Sequence, residues 1–347
     1  MEYAIKRLRT DKDKSVNKLW SDFLLSSGIN PEENIDYTVG VFENDNLIAT
    51  GSIFQNILKC TAVSPQFTGG KVFNTLISHL MSEIFDRDYK SCYVYTKEES
   101  LNSFIHLGFK EIERVKKELI FLEKSTSGFN EYIESLRKAK KDGEKIAGIV
   151  MNANPFTKGH LHLIQTAAKE NDFLHVFVLS EDMSDFPSDV RFELVKKGTS
   201  QLNNVVLHQT GSYIISAKTF PSYFLKEGSD VTYIHACLDS AIFKNHIAPA
   251  LNITRRYVGE EPLSPSTAIY NRAMADIFAG NPELIIIPRI EQESEVISAS
   301  RVRRLLAQDM IDEIKALVPQ TTYEFLLSPS GKEIQNKIRN KFHEKEV

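Results

Sequence analysis

The residues best able to do chemistry lie in a polar turn near the middle of the chain. Residues 145–151 (KIAGIVM) form a short apolar run that predicts a buried parallel strand, and residues 152–158 (NANPFTK) are turn formers. Gly159 and His160 then open a segment in which apolar residues recur at helical spacing. The N–H groups at a helix N-terminus carry a partial positive charge and bind anions, and His160 can reach the same anion. The pattern therefore predicts an anion site, although an ordinary strand–helix turn with a solvated histidine has the same pattern.

A second motif, Ile297 to Arg303 (ISASRVR), follows about 140 residues later. Together the two motifs resemble those of the nucleotidyltransferase superfamily, which hold the phosphates of ATP between a (His/Thr)-x-Gly-His turn and an Ile-Ser-Ser-Thr-x-x-Arg-like segment. Thr157 occupies the first family position, and Ser298, Ser300 and Arg303 match the second motif. The resemblance implies a Rossmann-like parallel α/β domain that transfers an adenylyl group.

The resemblance also implies roles for individual residues. Adenylyl transfer is an in-line displacement at the α-phosphate, so the protein positions the reactants and stabilises charge. His160 and Thr157 would be the catalytic residues, and a bidentate Arg303 would bind the diphosphate leaving group. Arg191 stands where relatives place a substrate-side arginine. The residues expected to bind ATP and its phosphates are Asn154, Pro155, Phe156, Gly159, Ser298, Ser300 and Arg303.

The first 123 residues carry a different pattern, in which predicted strands precede a loop (QFTGGK, 66–71) and an amphipathic helix. This order resembles the GNAT acetyltransferase fold, whose (Gln/Arg)-x-x-Gly-x-(Gly/Ala) loop binds the pyrophosphate of coenzyme A. Lys71 stands where the family has glycine or alanine, and the tyrosine that often protonates the coenzyme thiol is absent. The residues expected to contact a pantetheine or coenzyme-A-like arm are Gln66, Gly69, Gly70 and Lys71. A loop that serves packing alone is the alternative.

The positions of these motifs predict an α/β chain with two domains and a linker between them. We predict a GNAT-like α+β domain at 1–123, a linker helix within 124–144, and a Rossmann-like nucleotidyltransferase domain with C-terminal helices at 145–347. Ligands of parallel sheets bind beyond the carboxyl ends of the strands, which places the turn after Met151 at the site. The strands expected in the last part are 145–151, 173–179, 204–208, one near 213–215, 231–235, 254–258 and 284–288.

Composition limits the classes of function. The 347 residues are 42% apolar and 25% charged, as in globular proteins, and a net charge of −4 gives no argument for a nucleic-acid or membrane partner. Three cysteines share no metal or redox spacing, and no carboxylate cluster predicts a protein-bound metal. The charged N-terminus is unlike a signal peptide, so we expect a cytoplasmic protein.

A GNAT-like domain ahead of a Thr-x-Gly-His domain resembles the citrate lyase ligase family over nearly the whole chain. The resemblance implies that ATP, expected with Mg²⁺, activates acetate as acetyl-adenylate and releases diphosphate. The acetyl group would then pass to the thiol of the coenzyme-A-like prosthetic group on the citrate lyase acyl carrier subunit, releasing AMP. Two alternatives stay open: an adenylyltransferase acting on a phosphopantetheine-like phosphate, and a non-catalytic protein that binds acyl-coenzyme A and nucleotide.

Overall fold

The chain folds into two compact units. In a computed structural model, one unit comprises residues 1–132 with 219–238, and the other comprises residues 133–218 with 239–347. The model describes residues 3–32, 34–67, 70–180, 183–214, 220–221, 223, 225, 230–260, 265–292 and 295–343.

This grouping differs from the predicted division in the segment 219–238, which sequence analysis assigned to the second domain. Its described residues contact the first unit through the backbone and through apolar side chains. The carbonyl of Tyr223 accepts a hydrogen bond of 3.0 Å from the N–H of Asn30, and the ring of Phe220 lies 5.7 Å from that of Tyr95. The contact that assigns the segment joins residues more than a hundred positions apart, which local periodicity does not reveal.

The first unit contains a mixed sheet. Its strands are β1 (Ala4–Arg7), β2 (Tyr37–Glu43), β3 (Asn46–Phe54), β4 (Ile57–Val63), β5 (Ser91–Thr96), β6 (Lys110–Val115) and β7 (Leu119–Ser125), in the order β1-β2-β3-β4-β5-β7-β6. Its helices are α1 (Lys14–Ser26), α2 (Lys71–Asp86) and α3 (Glu98–His106). Neighbouring strands are antiparallel except β4 and β5, which are parallel and pair through Ile57 and Leu58 of β4. The α+β arrangement predicted for this part is confirmed.

Helix α2 illustrates why the first unit folds as it does. Its apolar residues at positions 72, 76, 77, 80, 81 and 84 recur at the i, i+4, i+5, i+8 spacing that places them on one helix face, and all are buried in the core of the unit. Burying each large aliphatic side chain contributes about 1.5–3 kcal/mol. The helix begins after Gly70, whose φ of 83° lies in the left-handed region that favours glycine. The predicted coenzyme loop therefore leads directly into the N-terminus of a well-anchored helix.

The second unit contains a parallel sheet. Its strands are β8 (Ile146–Met151), β9 (Phe173–Val178), β10 (Val205–Gln209), β11 (Arg255–Gly259) and β12 (Glu283–Ile287), in the order β10-β9-β8-β11-β12 with all pairs parallel. The remaining helices are α4 (Gly128–Lys138), α5 (Lys158–Glu170), α6 (Ser188–Gly198), α7 (Val231–Ile242), α8 (Ala248–Leu251), α9 (Pro265–Phe278), α10 (Ala299–Ala307), α11 (Ile311–Ile314), α12 (Gln320–Leu327) and α13 (Pro329–His343). Helices α4 and α7 each extend across a division between the units. The chain leaves β8 toward β10 and returns on the other side at β11, so the switch point lies between β8 and β11. The predicted Rossmann-like class is confirmed.

Two predicted strands are wrong. Of the strand expected near 213–215, Tyr213 and Ile214 form a bend and Ile215 lies outside the described residues. Residues 231–235 form the first turns of α7, although their β-branched and aromatic composition favours a strand locally. The carboxylate of Asp230 accepts a hydrogen bond of 2.9 Å from the N–H of Tyr233 and so caps the helix, and Ile234, Ala236 and Leu238 are buried on it.

Two histidines contact each other between β9 and β10. The Nδ1 of His175 lies 2.8 Å from the Nε2 of His208, and both side chains are buried. Burial lowers the pKa of His175 to about 3, with the neighbouring His208 adding to the effect, and lowers the pKa of His208 to about 4. Both rings are therefore neutral in the folded protein at neutral pH.

We expect the free energy of unfolding to fall as the pH drops from about 6.5 to about 4. Unfolded histidines bind protons near pH 6.5, whereas the folded pair binds them only near pH 4 or below, so acid favours the unfolded state in this window. Urea unfolding at about pH 7.5 and about pH 5 measures the change. The loss of stability should be smaller in His175→Gln than in the wild type, and equal losses would contradict the assignment.

Candidate active site

The turn between β8 and α5 is held by a reciprocal cap between Thr157 and His160. The Oγ1 of Thr157 accepts a hydrogen bond of 3.3 Å from the N–H of His160, and the N–H of Thr157 donates to the Nδ1 of His160 at 3.1 Å. This is a capping box in which histidine takes the place of the usual glutamate or glutamine. Thr157 is buried, with 1% of its surface exposed, so the predicted catalytic threonine also fixes the start of the helix.

This cap determines which nitrogen of His160 carries a proton. A backbone N–H can only donate, so the Nδ1 that it contacts must be the unprotonated nitrogen, and Nε2 carries the hydrogen. Burial, together with the positive charge of Arg289, lowers the pKa of His160 to about 4. The ring is held in place by stacking on buried Phe156, with centroids 6.0 Å apart. At neutral pH the side chain is thus a neutral hydrogen-bond donor at a helix N-terminus.

The second motif lies directly against this turn. Ser298 caps α10 by accepting a hydrogen bond of 3.1 Å from the N–H of Arg301. A Cβ atom at Gly159 would lie only 3.0 Å from the carbonyl oxygen of Ile297, so glycine permits the close approach. Arg303 Nη1 also donates to the carbonyl of Asn154 at 2.6 Å. Two motifs that are far apart in the sequence are therefore packed together, and the N-termini of α5 and α10 lie next to each other.

Both motifs line a single cleft of about 1320 Å³ at the carboxyl ends of β8 and β11. Thr157, Gly159, His160, Ser298 and Ser300 are among its lining residues. Within the described part of the chain, the ionised side chains that line it are four arginines and two carboxylates: Arg256, Arg289, Arg301, Arg304, Asp239 and Glu295. The excess of positive charge, together with two helix N-termini, suits a polyanion such as a nucleoside triphosphate.

Other predicted ATP-binding residues lie behind the turn. Asn154, Pro155 and Phe156 are buried and do not line the cleft. The side-chain oxygen of Asn154 accepts a hydrogen bond from the N–H of Phe186, which anchors the turn to the following loop. Arg303 is also outside the lining, because its guanidinium contacts the carbonyl of Asn154, the hydroxyl of Ser300 and the carboxylate of Asp185. These residues hold the turn that borders the cleft and do not line the cleft themselves. Their positions in the motif did not indicate this.

Arg191 does not occupy the substrate-side position that the sequence suggested. Its side chain is completely buried and does not line the cleft. Its Nη1 donates to the carbonyls of Asn152 and Leu179 at 3.0 and 2.7 Å, and its Nε donates to the carbonyl of Phe186 at 3.0 Å. Three backbone segments around the turn are thereby tied to α6.

The predicted coenzyme loop lies at the N-terminus of α2. Gln66 lies in an exposed 3₁₀ turn (Pro65–Phe67), Gly70 caps α2, and Lys71 is exposed with its Nζ 5.7 Å from the centre of the Tyr3 ring. Gly69 lies outside the described residues. Gly70 offers no side-chain acceptor to the first N–H groups of α2, and an anionic arm would supply one.

None of the four arginines that line the cleft was predicted from the sequence as a site residue. Arg301 and Arg304 lie in the same helix as the predicted motif, and Arg289 follows strand β12. Arg256 lies within β11, and a charged residue in a buried parallel strand is unusual enough to have been a signal.

The described residues show neither a metal-binding cluster nor a membrane-spanning helix. They contain no group of three or more histidine, cysteine, aspartate or glutamate side chains that could hold a metal ion. None of the helices in that part of the chain combines the length and the apolar character needed to cross a bilayer.

Comparison with known proteins gives a consistent set of relatives. The family model described as "Citrate lyase ligase C-terminal domain" matches residues 146–326. The chain is 38% identical over 326 residues to citrate (pro-3S)-lyase ligase of Escherichia coli (strain K12), covering 92% of each chain. It is 35% identical over 340 residues to the enzyme of the same name from Klebsiella pneumoniae, covering 96% of this chain and 99% of the relative.

Two solved structures each match a portion of this chain. Escherichia coli ElaA is 17% identical and matches 36% of this chain and 100% of its own, with a TM-score of 0.32. Pantothenate synthetase from Thermus thermophilus is 17% identical and matches 53% of this chain and 74% of its own, with a TM-score of 0.35. The fold assignments rest on the strand order and register given above.

Proposed function

The chain belongs to the citrate lyase ligase family, and from this membership we propose that it activates acetate with ATP and transfers the acetyl group to citrate lyase. The acceptor would be the thiol of the coenzyme-A-like prosthetic group on the acyl carrier subunit. The observation that carries the proposal is the packing of Gly159 against Ile297, which places His160 and the N-terminus of α10 in one cationic cleft.

The first step is the formation of acetyl-adenylate. A carboxylate oxygen of acetate attacks the α-phosphorus of ATP, a new P–O bond forms, and the bond to the bridging oxygen breaks as diphosphate leaves with the electron pair. No general base is needed, because a carboxylate is already ionised at neutral pH. The Nε2–H of His160 donates to an α-phosphate oxygen, where charge builds in the transition state. Arg289, Arg301 and Arg304 supply positive charge for the polyphosphate.

The second step is thioester formation. The sulfur of the carrier thiol attacks the carbonyl carbon of acetyl-adenylate, the C–O bond to AMP breaks, and the thiol proton is released to solvent. The loop of Gln66, Gly69, Gly70 and Lys71 at the N-terminus of α2 would bind the pantetheine-like arm. Mg²⁺ would arrive on the phosphates of ATP, since the described lining of the cleft has only two carboxylates, Asp239 and Glu295, and Glu295 pairs with Arg301 at 3.0 Å.

The test incubates the protein with ATP, acetate and deacetylated lyase and follows AMP and diphosphate. Acetate-dependent release of both products supports the ligase. Diphosphate release that depends only on phosphopantetheine would instead identify an adenylyltransferase for a phosphate substrate. Binding of nucleotide and acyl-coenzyme A without any diphosphate release would identify a non-catalytic protein.

Lys71→Ala should weaken use of the carrier thiol by roughly tenfold and leave adenylate formation unchanged. An exposed charge at a helix N-terminus contributes to anion binding, and the expected loss is that of one charge-assisted hydrogen bond. The measurement compares KM for the carrier with the rate of acetate-dependent exchange of labelled diphosphate into ATP. Lys14→Ala, at the exposed first position of α1, is the matched control. Loss of diphosphate exchange in Lys71→Ala would contradict the proposed division of labour.

A further inference from the structure

Arg256 is a buried cation with unused hydrogen-bond donors in the wall of the cleft. It is the second residue of β11, and only 7% of its surface is exposed. Its Nε and Nη1 have no hydrogen-bond partner among the described residues, although its side chain lines the cleft. Buried polar groups in proteins are nearly always hydrogen-bonded, so two unpaired donors on one guanidinium require an explanation.

Keeping this cation costs free energy. Burial lowers the pKa of Arg256 to about 9, while the negative charge of Asp239 opposes the shift. The guanidinium is still protonated at neutral pH, and it lies over the ring of Phe243, whose centre is 4.6 Å away. Asp239 and Phe243 also line the cleft.

A glycine at position 148 permits the contact between Phe243 and Arg256. Gly148 of β8 lies beside Arg256 in the sheet register, and a Cβ atom at Gly148 would come within 2.8 Å of the ring of Phe243. Glycine at this position thus lets the ring approach the sheet and contact the guanidinium. The ring of Phe278 lies 6.1 Å from that of Phe243 and lines the same cleft. A cation with free donors next to two apolar rings matches a short-chain carboxylate, which has one charged end and one apolar end.

Unlike Arg256, the other arginines of the cleft are either paired or, as for Arg304, exposed. Arg289 donates to the carbonyl of Glu260 at 2.6 Å, and Arg301 pairs with Glu295. Arg256 instead lies inside its strand, beside Gly148, whereas His160 and the N-terminus of α5 follow the end of β8. The cleft therefore has one cationic position at the strand ends and a second within the sheet. The nearby charge of Asp239 disfavours a doubly charged phosphate at the second position more than a singly charged carboxylate.

We propose that Arg256 binds the carboxylate of the acid substrate and that Phe243 and Phe278 contact its alkyl group. One carboxylate oxygen accepts hydrogen bonds from the guanidinium, and the other attacks the α-phosphate. This inference rests on the proposed function and adds to it the residues that recognise the acid.

The test compares Arg256→Met and Arg256→Lys with wild type in acetate-dependent exchange of labelled diphosphate into ATP. Removing a charge-assisted hydrogen bond to the carboxylate should raise KM for acetate by roughly 10- to 100-fold in Arg256→Met, with KM for ATP within about twofold of wild type. Arg256→Lys keeps the charge without the planar fork and should give a smaller increase. Arg255→Met is the matched control, because Arg255 lies on the same strand outside the cleft lining and pairs with Glu283 at 3.3 Å.

A stability measurement separates binding from a structural role. Since the unpaired charge destabilises the unliganded protein, Arg256→Met should have a Tm equal to or above that of wild type. A lower Tm with an unchanged KM for acetate would overturn the inference, as would a rise in KM for ATP instead of acetate. If Arg256→Met does not fold, an unchanged KM for acetate in Arg256→Lys overturns it. Absence of acetate-dependent exchange in wild type would refute the proposed function itself, so the two failures are distinguishable.

Discussion

Replacing His160 with alanine should lower the rate of adenylate formation by roughly 10²- to 10³-fold, the loss expected when one donor to a developing negative charge is removed. The Nε2–H of His160 is a fixed donor because its Nδ1 accepts the N–H of Thr157 and its ring stacks on Phe156. Its low pKa, about 4, keeps the side chain neutral through the physiological pH range. The measurement is kcat for acetate-dependent diphosphate release, and KM for ATP should change much less than kcat.

A second variant distinguishes hydrogen-bond donation by His160 from its role in capping α5. In His160→Glu the carboxylate can still accept the N–H of Thr157, which is the usual role of glutamate at this position of a capping box. It has no proton to donate at neutral pH and it repels phosphate. We therefore expect a Tm close to wild type and a loss of activity at least as large as that of His160→Ala. A glutamate variant that retained most of its activity would restrict His160 to the capping role.

Gly159→Val should lower adenylate formation by about 10²-fold through displacement of the second motif. A Cβ atom at this position would lie 3.0 Å from the carbonyl oxygen of Ile297, and the γ-methyl groups of valine demand further space. A shift of about 1 Å between positioning groups can cost about 10²-fold in rate. Gly159→Ala should have a smaller effect in the same direction, because it adds only the Cβ.

The matched control is Lys158→Val, at the preceding position of the same helix. It places a β-branched residue in the first turn of α5, at a side chain whose Nζ contacts the carbonyl of Lys315 at 3.4 Å. It should keep activity within a few fold of wild type, since helix propensities differ by less than about 1 kcal/mol. Equal activity of Gly159→Val and Lys158→Val would show that the contact between the motifs is not needed.

The elements that carry the site could be predicted because their signals are local. The apolar run 145–151, the turn formers after it and the helical spacing after Gly159 correspond to β8, the turn and α5. The strand predicted at 231–235 was wrong because the segment begins a helix that Asp230 caps, and this setting overrides the local β-propensity of the residues.

The side-chain directions could not be predicted, because they depend on contacts between distant residues. Arg303 occupies the expected motif position, yet its guanidinium contacts the carbonyl of Asn154, while its neighbours Arg301 and Arg304 line the cleft. Arg191 likewise supports the turn from a fully buried position. Arg256 was not predicted either: a charge within a buried strand was a local signal, but only the fold shows that its strand borders the cleft.

The most direct measurement follows an oxygen atom from acetate to AMP. Acetate labelled with oxygen-18 in its carboxylate is incubated with ATP, the protein and deacetylated lyase, and the AMP produced is analysed by mass spectrometry. Attack of the carboxylate on the α-phosphorus leaves one acetate oxygen on the phosphate when the thiol takes the acetyl group, so we expect one labelled oxygen in each AMP. AMP formed without label would contradict an acetyl-adenylate made in this cleft.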